Sequence, residues 1–289
     1  MLHCRDYSSN NLNMTSILQL EFMSFLFHEG VPIGIQIHDI QSCNDGDVAI
    51  YTLFLKKLRT ARPDQLILDV GACDAAFSLV AASLVPNPVY AFEPNRHSYF
   101  KILQTLKDQR IQNIYVLPLA ISSADSEIFL EEAGGSSNLR ENKGSMSVIT
   151  KPMSAIIEPS RSIFFMKVDT EGFDLQVLES CKPFLESGGG GIDNIVFEYS
   201  AFWLGSSAEE CIANSAPMLT YLCKKYKYMY SLSRRGPPFL VGPLAESDIP
   251  MFIYDHYVRH LQTDIFLTNS AVEHADIPCF PFEPNKYYA

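Results

Sequence analysis

Acidic side chains close the short apolar runs of this chain, and the chemistry is most legible at those positions. The first run, Leu66-Ile67-Leu68-Asp69-Val70, leads into Gly71-Ala72-Cys73-Asp74-Ala75-Ala76-Phe77-Ser78. The others end in Ala91-Phe92-Glu93-Pro94, Lys167-Val168-Asp169-Thr170-Glu171-Gly172 and Ile195-Val196-Phe197-Glu198. In an open α/β sheet, ligands sit beyond the carboxyl ends of the strands, where strand order reverses. Gly71 permits a tight turn and a close approach there, with Asp69, Ala72 and Cys73 around it. An acid ending the second strand can accept both hydroxyls of a ribose, which makes Glu93, followed by Pro94, a candidate nucleoside ligand.

Two nucleoside classes use such a crevice. A dinucleotide lays its pyrophosphate over a helix N-terminus and calls for a full GxGxxG run. Cys73 and Ala76 occupy those glycine positions here, so NAD fits poorly. S-adenosylmethionine carries no phosphate, and the acidic loop with Asp69 and Asp74 would attract its ammonium and sulfonium. Methyl transfer then needs an acceptor held in line and a base for its proton. Asp169 is the first candidate for base or anchor and Glu171 the second. Glu198 is a third carboxylate, read as a substrate contact. Lys167 pairs with Asp169 or Glu198 on this reading, either for catalysis or for structure. Three clustered acids can instead hold a divalent cation, but no histidine stands near them in sequence and no metal is expected. Tyr199, Phe202 and Trp203 either line an acceptor pocket or pack the core; of these Trp203 is taken as the substrate contact.

The elements that must position these groups alternate along the chain. Apolar positions at spacings of three and four predict a helix over 45–58. Strands are predicted at 66–70, 89–92, 114–119, 163–168, 195–197, 228–232 and 264–268. Helices are predicted over 77–85, 96–107 and 173–185, the last closed by Gly188 to Gly191, and over 209–228 with Pro217 as a break. Residues 1–44 read as an N-terminal arm and lead-in, with an amphipathic helix at 17–27, and 45–289 as one domain. The Pro-rich stretch within 203–264 reads as a substrate lid or a recognition insert, and Gly134 to Gly144 as a second candidate flap.

A formal charge of -11 argues against sequence-independent nucleic-acid binding. Lys224-Lys225 and Arg234-Arg235 read as solvated surface. Seven scattered cysteines without zinc-ligand spacing predict a reduced, cytoplasmic protein with buried thiols, Cys73 being a small apolar filler. No apolar run is long enough to span a bilayer, and no signal peptide is read.

The ordered motifs resemble the FkbM family of methyltransferases. The carriers are Asp69-Val70-Gly71-Ala72 with Phe77-Ser78, Phe92-Glu93-Pro94, Leu119-Ala120-Ile121-Ser122, the box from Lys167 to Asp174, and Ile195 to Glu198. The likeness covers about residues 65–200, its most specific piece being Lys167-Val168-Asp169-Thr170-Glu171-Gly172. It departs at Cys73, where the family has Asn, at Ala75, where it has Gly, and at Asp174, where it has Glu. A Cβ at Ala75 would narrow the loop and carry strain if its φ is positive. The resemblance implies a Rossmann-like class I α/β fold, with a mostly parallel seven-stranded sheet and helices on both faces. It also implies S-adenosylmethionine as cofactor, with Ala120 and Pro94 near it, and methyl transfer to a hydroxyl oxygen of a small molecule or glycan. The competing reading is a catalytically silent fold kept for binding.

Overall fold

Leu66–Val70 (β1) is buried at every position, as a strand covered on both faces must be. Val89–Phe92 (β2) and Ile114–Leu117 (β3) extend the sheet to one side in parallel. On the other side lie Ser162–Val168 (β8) and Gly191–Ser200 (β9), also parallel. Gln262–Thr268 (β12) runs antiparallel to β9, and Tyr228–Leu232 (β10) antiparallel to β12. In this computed structural model, which describes residues 45–133, 136–140, 146–187, 191–234, 238–273 and 277–287, those seven strands stand in the order β3-β2-β1-β8-β9-β12-β10. The expected seven-stranded, mostly parallel sheet is present. Two short strands, Leu240–Val241 (β11) and Cys279–Phe280 (β13), lengthen it to nine beyond β10.

Helices cover both faces. Asp45–Lys57 (α1), Ala76–Leu84 (α2) and Arg96–Gln109 (α3) bury Phe54, Phe77 and Ile102 against Ile67, Phe165 and Phe266. Asp174–Ser180 (α4), Lys182–Glu186 (α5), Ala208–Lys225 (α6) and Ile249–Val258 (α7) cover Leu68, Met166 and Ile195 on the opposite face. Asn95 caps α3 by accepting the N–H groups of His97 at 2.9 Å and Ser98 at 3.2 Å. Among the described residues no helix is long and apolar enough to cross a membrane.

Several expectations need correction. The single helix over 173–185 is two, parted at Cys181, because Pro183 sits in the first turn of α5 and cannot continue α4. Pro217 does not break α6, whose following turns bury Leu219 and Leu222. Within the Pro-rich stretch lie β11 and α7, with Pro250 in the first turn of α7, where a missing N–H costs nothing. The flap is also structured where described. Ala120–Ile121 (β4), Ser126–Ala133 (β5), Ser136–Arg140 (β6) and Met146–Lys151 (β7) form a separate sheet in the order β4-β7-β5-β6. Residues 134, 135 and 141–145 of that stretch, the arm 1–44 with its helix at 17–27, and Gly188 to Gly190 lie outside the described residues.

Candidate active site

Strand register decides which side chains meet. Asp69 stands opposite Ala91 and Lys167, Lys167 opposite Val196, and Glu198 opposite Asp264. Partners directly opposite point to the same side of a sheet, and so do residues two apart on one strand. Glu93, Asp69, Lys167, Asp169, Glu198 and Asp264 are therefore gathered on one face, at the carboxyl edge of the parallel strands.

The β1–β2 half of that edge is built from carboxylates holding backbone. Asp69 Oδ2 accepts from Ser78 N–H at 3.2 Å and Ser78 Oγ at 2.6 Å, fastening the start of α2 to β1. Its other oxygen has no hydrogen bond and lies 3.8 Å from Lys167 Nζ. Burial pushes the Asp69 pKa up against the pull of Lys167. Glu93 accepts from Cys73 N–H and Asn95 N–H, each at 2.7 Å. Burial raises its pKa to about 7 although both N–H groups oppose the shift. Gly71 has φ +80°, and a Cβ there would come within 1.9 Å of the Asp169 carbonyl oxygen. The close approach that requires glycine is thus made by the neighbouring strand end. Ala75 has φ 63° and Cys73 φ 54°, so the left-handed conformation is carried by residues with a Cβ. Cys73 is exposed, contrary to its reading as a buried filler; partial burial raises its thiol pKa, with Asp74 and Glu93 adding to the shift.

The β8–β9 half is built from charged side chains holding one another. Lys167 Nζ lies 3.4 Å from Asp169 Oδ2 and 3.8 Å from Asp69 Oδ1. Arg234, at the end of β10, bonds Glu198 Oε1 and reaches Asp264 at 3.6 Å. Gln262 Nε2 donates to the same Glu198 oxygen. Arg234 is largely buried here, which corrects its reading as solvated surface, whereas Lys224 is exposed as expected. Burial works to raise the Asp169 pKa, but Lys167 and Arg234 outweigh it and hold the group below its ordinary value. Glu198 goes the other way, pushed to about 9 by burial and by Asp169. Glu171 is raised too, by burial and then Asp169. Carboxylate oxygens of Asp169, Glu171 and Glu198 lie within 4.8 Å of one another.

Glu171 owes its position to a strained turn, with φ 53° there and φ 105° at Gly172. Asp174 secures the turn by accepting the N–H groups of Thr170 and Gly172, both at 3.1 Å. Burial drives the Asp174 pKa to about 7. Beyond the turn opens a groove of about 690 Å³, lined by Ser123, Glu171, Gln176, Trp203, Asn214 and Met218 among others. The indole of Trp203 is 41% exposed and lies 3.5 Å from the point a Gly172 Cβ would occupy. Tyr199, by contrast, is a core residue stacked on Phe252 and bonded to Ser215 at 3.0 Å. Ala120 is buried in the small sheet beside Ile128 and Val148. Arg234, Gln262 and Asp264 were not found by sequence reasoning.

The model of the "Methyltransferase FkbM domain" family matches residues 69–230, more than half of the chain. No curated protein matches. Among solved structures, precorrin-6y C5,15-methyltransferase from Geobacter metallireducens GS-15 is 15% identical with a TM-score of 0.41, covering 78% of this chain and 88% of that one. The N-terminal domain of human METTL16 in complex with SAH is 10% identical with a TM-score of 0.41, covering 77% and 68%. An rRNA methylase from Streptococcus thermophilus is 12% identical with a TM-score of 0.38, covering 76% and 95%. At TM-scores this low the likeness carries no weight for activity or acceptor.

Proposed function

The chain belongs to the FkbM family of methyltransferases, and from that premise we propose that it moves a methyl group from S-adenosylmethionine to a hydroxyl oxygen of a small molecule or glycan. The residues at the β1–β2 edge fit that cofactor. Glu93 is fixed by two backbone N–H groups while each of its oxygens retains a lone pair for a ribose hydroxyl. Among the described residues six carboxylates (Asp69, Glu93, Asp169, Glu171, Glu198, Asp264) stand at the edge against two cations (Lys167, Arg234), a balance that suits a positively charged ligand. Asp69, Gly71, Ala72, Cys73, Glu93, Pro94 and Ala120 are assigned to cofactor binding.

Bound S-adenosylmethionine would supply an activated methyl on a good leaving group. The chain must hold the acceptor hydroxyl in line and remove its proton. One observation carries the reading: Glu171 belongs both to the carboxylate cluster and to the groove beneath Trp203. A general base works best with a pKa near the operating pH. The raised Glu171 is better matched than the lowered Asp169, reversing the order read from sequence. Glu171 removes the proton, Asp169 stays anionic as the anchor, and Lys167 holds Asp169 and Asp69 in place. Trp203 carries the acceptor, while Glu198 acts from beneath the site through Asp169. Among the described residues the groove is lined by Glu171 and Glu179 and by no basic residue, which supports a neutral acceptor over a nucleic acid. The buried free thiols of Cys181 and Cys211 support a cytoplasmic location.

The test is transfer of radiolabelled methyl to a panel of neutral glycosides and other hydroxylated small molecules, with RNA as a further arm. Label is expected on a glycoside or small molecule in the native protein and is lost in Glu171→Gln. Label on RNA alone would refute the acceptor assignment. The left-handed Cys73 and Ala75, which replace the family's Asn and Gly in the loop, favour one competing reading, a fold kept for binding alone; absence of label on every arm would support it.

A further inference from the structure

The carboxylates of the β8–β9 edge are more crowded than their cations explain. Glu198 is 3% exposed, and only one of its oxygens is engaged, by Arg234 and Gln262. The other, Oε2, has no hydrogen-bond partner among the described residues. Ser200 is likewise 3% exposed, and its Oγ has none. Ser200 lies two residues beyond Glu198 on β9, opposite Gln262, and so shares the face of Glu198. A buried oxygen without a partner is costly unless something satisfies it, and Glu198 brings a carboxylate oxygen within 4.8 Å of oxygens of Asp169 and Glu171.

We propose that Asp169, Glu171 and Glu198 bind a hard divalent cation of the magnesium or calcium class. All three donors are carboxylate oxygens, and none is sulfur or imidazole, which is the set such ions take. Arg234 and Gln262 grip Glu198 Oε1 and leave Oε2 for a further partner, as outer partners orient a metal ligand. Each carboxylate contributes one oxygen, so Glu171 keeps the other for a proton. The use of the cation, lowering the pKa of a hydroxyl brought beside it, rests on the methyl-transfer reading; the existence of the site does not.

The chain's single tryptophan provides the readout. Trp203 lies against Gly172, next to Glu171, so terbium bound at the cluster will luminesce on indole excitation. Terbium emission should rise saturably in the native protein at pH 7.5 and be displaced by calcium or magnesium. Glu198→Gln should weaken binding at least as much as the roughly 10–100-fold that loss of an orienting partner costs. Glu179→Gln, a groove acid outside the cluster, should leave it unchanged. If Glu198→Gln does not fold by circular dichroism, the half-buried Glu171→Gln replaces it. The site is refuted if terbium, calcium and magnesium all fail to bind at millimolar concentration. That result assigns relief of the crowding to a proton shared by Glu198 and Asp169. Binding equally tight in the cluster variants refutes it as well. Neither result bears on methyl transfer, which is read separately by label.

Discussion

The two halves of the strand edge satisfy their acids by different means. Around β1 and β2, Asp69 and Glu93 take N–H groups from Ser78, Cys73 and Asn95, all within 20 residues of their acceptors. Around β8 and β9, Asp169 and Glu198 depend on Lys167, Arg234 and Gln262, and the Glu198 partners lie 36 and 64 residues away. The first half is held by backbone N–H groups, which suits the cofactor site proposed there. The second is a set of mutually dependent charges, whose pKa values can be driven apart for acid and base work.

That contrast can be broken at several points. The largest effect is expected in the charged half, where Glu171→Gln should cut turnover by roughly 10²–10⁴-fold with cofactor affinity unchanged. In the native protein turnover should fall as pH drops through the raised Glu171 pKa. A pH–rate profile with no acidic limb would remove Glu171 as base. In the backbone half, Gly71→Ala should destabilise the fold by about 1–3 kcal/mol or more in urea titration, since its Cβ would overlap the Asp169 carbonyl.

In buffer free of divalent cations, stability should also fall as pH rises. Asp174 goes from an ordinary value of 3.8 to about 7 on folding, and Glu198 from 4.5 to about 9. Both favour the protonated native state, so their contribution is complete below about pH 4. It is lost as pH climbs toward 7 and 9, on the order of 1 kcal/mol per pH unit for each. Thermal midpoints at pH 5 and pH 8 check the sign, and Glu198→Gln should flatten the upper part of the profile. The smallest effect belongs to the cofactor loop: Ala75→Gly should stabilise by about 1 kcal/mol by relieving a left-handed residue. An unchanged urea midpoint would mean that the loop stores no strain.

The same contrast explains what was legible in the sequence. β1, β2 and β10 match the predicted 66–70, 89–92 and 228–232 because doubly buried strands are unbroken apolar runs. Asp69, Glu93, Asp169 and Glu198 were readable as acids closing such runs. The small sheet was missed because β7 alternates buried and exposed residues, and so reads as polar. Arg234 was missed because its partners are set by the antiparallel placement of β12 between β9 and β10, which no local pattern encodes. A basic residue just after one predicted strand and an acid opening another, Asp264, was the one available signal.

The claim that the β1–β2 crevice holds S-adenosylmethionine is tested most directly by calorimetric titration of the native protein and Glu93→Ala with that cofactor. Saturable heat at a single site in the former and none in the latter is the predicted result. Equal binding by both, or no heat from the native protein at millimolar cofactor, would contradict it.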